Sequence, residues 1–87
     1  MNWTIDTPVR AGQLVVVPIV DVTISVESSA FRLAAHGAKR PAMMLVFREA
    51  GVIGVDMDGK VHDAAGVERR YPQAIAQATA RLAKETA

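Results

Sequence analysis

Over residues 14–27 apolar side chains recur at every second position, with Leu14, Val16, Val20, Val22, Ile24 and Val26 in one phase. A two-residue period marks a strand with one face on a core, so this phase is assigned to the interior. The opposite phase (Val15, Val17, Ile19, Asp21, Thr23, Ser25 and Glu27) begins apolar and ends polar. Length restricts how such a segment runs. At roughly 3.3 Å per residue it would reach about 46 Å, whereas a globular chain of this size has a radius of gyration of about 12 Å. Pro18 lacks the N–H that a central ladder needs, so it predicts a bulge, a bend or an edge position. The segment is read as two strands, or one sharply bent strand, with the break near Pro18.

Shorter alternations surround it. Trp3, Thr4 and Ile5 give a strand within residues 1–7, and Pro8 and Gly12 bracket a turn. Glu27-Ser28-Ser29 reads as a hairpin turn into a strand over 30–35, where Phe31, Leu33 and Ala35 alternate with Arg32 and Ala34. Residues 36–41 form a basic loop with His36, Lys39 and Arg40. Met43, Leu45 and Phe47 share one face of a strand over 42–48. Glu49-Ala50-Gly51 then turns the chain into 52–57, and Asp58-Gly59 makes a tight turn into 60–62.

Residues 63–71 are polar and predict a loop. Pro72 suits the first turn of a helix, and Ile75, Ala78, Thr79 and Leu82 recur at helical spacing, which predicts a helix over 72–85. The sum is one α+β domain over residues 1–87. Its small, mainly antiparallel sheet has about five to six strands, with one C-terminal amphipathic helix packed on one face.

Composition sharpens this picture. The apolar fraction is 51%, yet only Trp3, Phe31, Phe47 and Tyr71 are aromatic, so aliphatic side chains must fill the core. A net charge of +1 supplies no global field towards nucleic acid or an anionic membrane. It also weakens the repulsion between copies, which favours self-association. The absence of cysteine excludes disulfides and thiolate metal clusters, and a cytoplasmic setting is expected. Residues 1–10 carry Asp6 and Pro8 without a continuous apolar stretch, unlike a signal peptide. The longest apolar run, 14–20, is far too short to span a membrane.

Titratable groups crowd together only at Asp56, Asp58, His62 and Asp63. Three carboxylates and an imidazole suit a divalent cation or a division of acid and base roles. A calcium loop fails on spacing, because Gly59 stands fourth from Asp56, and Val67 stands twelfth where Glu is needed. The simpler reading is a hairpin turn with Gly59 at positive φ and Asp56 near His62 across the strands, both exposed. His36 has no nucleophile signature beside it, and Ser28 and Ser29 lie in a turn. Arg69-Arg70 reads as a solvated helix start. No catalytic residue, cofactor or metal ligand is assigned.

Two surface readings remain. Arg32, Lys39, Arg40 and Arg48 lie on segments adjacent in sequence and would contact phosphates if gathered on one sheet side. Val15, Val17 and Ile19 are apolar on the phase assigned outward, and one helix of about 20 Å cannot cover both sheet faces. That motivates a homodimer with these three residues at the interface.

The stretch Pro8-Val9-Arg10-Ala11-Gly12, followed by Leu14 to Val17, Pro18 and Ile19, resembles the opening of the bacterial spore-protein YtfJ (GerW-like) family. Pro41-Ala42-Met43-Met44-Leu45-Val46 is similar to that family's second strand. The family's glycine-rich segment between the two blocks is replaced here by residues 28–40, and a C-terminal helix is added. The resemblance implies a non-enzymatic accessory protein and carries over no catalytic residues. The leading expectation is accordingly a small protein acting by self-association or partner binding. The alternatives are a small enzyme or ligand-binding protein using Asp56, Asp58 and His62, and nucleic-acid contact through the arginines and Lys39.

Overall fold

The computed structural model describes residues 2–23 and 38–86. The turn at 27–29, the strand over 30–35 and His36-Gly37 lie outside the described residues. The elements in order are β1 (Trp3–Ile5), β2 (Val9–Ala11), β3 (Leu14–Thr23), β4 (Ala38–Arg48), β5 (Gly51–Asp56), β6 (Val61–His62), α1 (Ala64–Arg70) and α2 (Ala74–Thr86). The strands form one antiparallel sheet in the order β1-β3-β4-β5-β6, and β2 pairs with β3 in line with β1. The predicted α+β class and antiparallel sheet are thus the observed ones.

β3 runs unbroken through Pro18, so the break expected there lies in its neighbour instead. Ile5 pairs with Ile19 and Val9 with Val16, which leaves Asp6, Thr7 and Pro8 opposite Val17 and Pro18. Three residues against two make a bulge. The Asp6 N–H donates to the Pro18 carbonyl at 2.9 Å. In an antiparallel strand a residue's N–H and C=O point the same way, so the missing Pro18 N–H faces this bulge, where the ladder is already interrupted. Pro41 follows the same logic. It pairs with Val20 where the register shifts and Ala42 is the extra residue, beyond the last β4–β5 pair at Met43.

The β3–β4 register sets Val15, Val17 and Ile19 opposite Phe47, Leu45 and Met43. Val17, Ile19, Met43 and Leu45 are fully buried, together with Val67 of α1 and Ala74 and Ala78 of α2. The helices therefore cover the phase assigned outward, and the phase assigned to the interior faces the other way. Alternation shows which residues share a face, but not which face meets a helix. Here the first half of β3 is apolar on both.

Among the described residues two helices, not one, pack on the sheet. The expected loop over 63–71 contains α1, capped by Asp63, whose side chain accepts from the Gly66 N–H at 2.8 Å. With only Val67 as a large buried side chain, α1 has too little apolar periodicity to stand out. At the corner between the helices Gln73 takes a φ of 74°, and its N–H donates to the Glu68 carboxylate at 2.8 Å. α2 starts at Ala74, after Pro72. Its buried face is Ala74 and Ala78, flanked by Ile75 and Leu82, while Thr79 is exposed and donates to the Ile75 carbonyl. Small alanines let the helix lie close to the sheet. Among the described residues no helix is long and apolar enough to cross a membrane.

Candidate functional site

The β5–β6 hairpin is closed by Met57, Asp58 and Gly59. The Gly59 N–H donates to the Asp56 carbonyl at 2.9 Å, and Gly59 has a φ of 84°. Asp56 holds this turn from inside. Its Oδ1 accepts the Asp58 and Lys60 backbone N–H groups, each at 2.9 Å, and its Oδ2 lies 2.8 Å from His62 Nε2. Asp56 and His62 meet across the strands as expected, but they are not exposed. Their side chains retain only 14% and 10% of their accessible surface. The reason is phase: Asp56 pairs with Met43, and His62 with Gly54, so both lie on the helix-covered face.

The His62 bond lowers the Asp56 carboxyl below its ordinary value of 3.8, helped by the backbone donors at Lys60 and Asp58 and opposed by burial. A depressed carboxyl contributes stability that is present above its unfolded value and is lost as pH falls through the folded one. Asp56→Asn is therefore expected to flatten the acid limb of stability below about pH 4. Urea titrations at successive pH values check this, and an unchanged slope would contradict it.

The crowded run thus divides into separate tasks. Asp56 and His62 clasp the hairpin, Asp63 caps α1, and Asp58 points into solvent on an exposed turn with Met57, Gly59 and Lys60. Among the described residues no three of His, Asp and Glu converge as a cation would require. A surface depression lined by Ala80, Arg81, Lys84 and Glu85 belongs to α2, not to this turn.

Of the expected basic patch, Arg40 and Arg48 are the members whose side chains are described, and they stand on opposite faces of the sheet. Arg40 pairs with Asp21, which shares the helix-covered phase of β3, whereas Arg48 is in phase with Met44 and Val46 on the opposite face. The Arg48 Nε donates to the Gly51 carbonyl at 3.3 Å. Lys39 enters the ladder opposite Val22, and Arg32 lies outside the described residues. The interface expected at Val15, Val17 and Ile19 is also corrected. Val17 and Ile19 have no exposed surface, and Val15 packs half-buried against the core.

The other sheet face is the surface that sequence reasoning missed. Two rows cross it in register, Val9–Val16–Val46–Ile53 and Pro18–Met44–Val55–Val61. All eight are apolar. Val9 and Val61 are exposed at the margins, the six between them are half-buried by their neighbours, and no described helix lies over them. The signal was present in the sequence, because Val46, Ile53 and Val55 are too apolar for a solvated face. Compared with family models, curated proteins and solved structures, the chain shows no match to any of them.

Proposed function

We propose that the protein acts by contact, pairing with a second copy of itself through the open sheet face. The two apolar rows carry this reading. The two rows stand about 7 Å apart along β3. With Leu14, Val20 and Val22 in the same phase that face runs to roughly 26 Å, and at about 19 Å across four strands the whole face is at most about 500 Å² per copy. A patch of that size is at the upper end of what a monomer exposes, and two of them bury at most about 1,000 Å², near the threshold for a specific interface. Sheet faces pack with their strands roughly aligned at about 10 Å separation, so an apolar face with Arg48 only at its end is complementary to its own copy. The net charge of +1 opposes pairing only weakly.

Such a dimer would be a cytoplasmic, non-enzymatic accessory, in keeping with the cysteine-free sequence and with the resemblance to the YtfJ family. Sedimentation velocity from low to high micromolar concentration tests the pairing. A monomer–dimer equilibrium is expected. Val46→Lys, at the centre of the face, should weaken it at least about tenfold while leaving the circular dichroism unchanged, because it desolvates a charge against a like charge. A wild-type chain that stays monomeric throughout would overturn the reading.

A further inference from the structure

The sheet end under the helix corner brings together two of the chain's four aromatic rings and a carboxylate. Trp3 pairs with Asp21 across β1 and β3, so both side chains stand on the helix-covered face. Tyr71 reaches the same place from the turn between α1 and α2. Its ring meets that of Trp3 at a centroid distance of 5.5 Å and an angle of 81°. All three residues are half-buried. One oxygen of Asp21, Oδ1, is sealed from solvent and has no hydrogen-bond partner among the described residues.

An ionised oxygen removed from water without a donor is unfavourable, and such groups call for a specific explanation. Arg40 is its register partner on β4 but makes no ion pair with it among the described residues. Arg70 is the other cation near the ring pair. The Asp21 charge acts on this corner, because the Tyr71 phenol is raised by burial first and by Asp21 second, while Arg70 lowers it. Two rings set nearly perpendicular, beside a carboxylate that no described cation bridges, suit a weakly hydrated positive group. Ring faces attract such a group electrostatically, and the carboxylate adds a full charge.

We propose that Trp3, Asp21 and Tyr71 form a binding site for an alkylammonium cation, either a free methylated amine or the methylated lysine of a peptide. The site lies on the helix-covered side and does not depend on pairing through the open face. Trp3 is the only tryptophan, so its fluorescence reports the site directly. Titration with tetramethylammonium chloride should give a saturable change beyond a sodium chloride control of equal ionic strength. Asp21→Asn should weaken binding at least about tenfold while melting at the wild-type temperature or higher, since it removes an unpartnered buried charge. Arg40→Ala should tighten binding by removing a competing cation. A short trimethyllysine peptide that binds more tightly than tetramethylammonium assigns the cation to a protein partner, and equal affinity assigns it to a free amine. No saturable change with either probe, an undiminished response in Asp21→Asn, or weaker binding in Arg40→Ala would overturn the site.

Discussion

Val17→Asp is expected to unfold the protein, while Val16→Asp, one residue away, leaves it folded and monomeric. Val17 has no exposed surface and pairs with Leu45 under the helices. Replacing it loses roughly 1.5–3 kcal/mol of apolar burial. It also places a carboxylate where no described side chain can pair with it, at a cost of several kcal/mol more. A chain of this length has a total stability of about 4–13 kcal/mol, so the sum consumes most or all of it. Val16 stands on the opposite face, half-buried between Val9 and Val46. An aspartate there reaches water, retains the fold and opposes pairing of copies. Circular dichroism and urea titration separate the two variants. A folded Val17→Asp beside an unfolded Val16→Asp would mean that the helices cover the other face.

That pair of neighbours also shows what the sequence could and could not disclose. That Met43, Leu45 and Phe47 share a face was legible from the two-residue period, although Met44 and Val46 between them are apolar as well. The first half of β3 is likewise apolar on both faces, so which face meets the helices is settled by contacts between segments that periodicity cannot see. The C-terminal helix was legible from Ile75, Ala78 and Leu82. α1 was not, since its stability comes from one cap at Asp63 and one buried valine rather than from an apolar stripe. The Asp58-Gly59 turn was read correctly from the glycine. The burial of Asp56 and His62 depended on their sheet face, which a turn motif leaves open. The Trp3–Asp21–Tyr71 corner joins residues 3, 21 and 71, and no local pattern links them.

Gly54 is the position where α1 docking is most exposed to challenge. It is buried on β5 opposite Leu45 and His62. A Cβ added there would stand 2.5 Å from the Met43 Sδ and 2.7 Å from the Val67 Cγ2. The methionine is flexible and its sulfur can swing aside. Val67 cannot yield in the same way, because a β-branched side chain in a helix has essentially one rotamer. α1 must therefore lift. Gly54→Ala is expected to lose about 1–3 kcal/mol through overpacking, despite the gain of up to about 1 kcal/mol that alanine brings to a strand backbone. Gly54→Val should lose more and speed amide exchange throughout α1. Combining Gly54→Ala with Val67→Ala removes the opposing methyls, so the double variant should be more stable than the two single losses predict, by about 0.5–3 kcal/mol. Strict additivity in that cycle would show that α1 does not rest on Gly54. A lifted α1 would also draw the Asp63 cap away from the hairpin that ends at His62, so the loss at Gly54 should reach the Asp56–His62 clasp and shift the acid limb of stability with it.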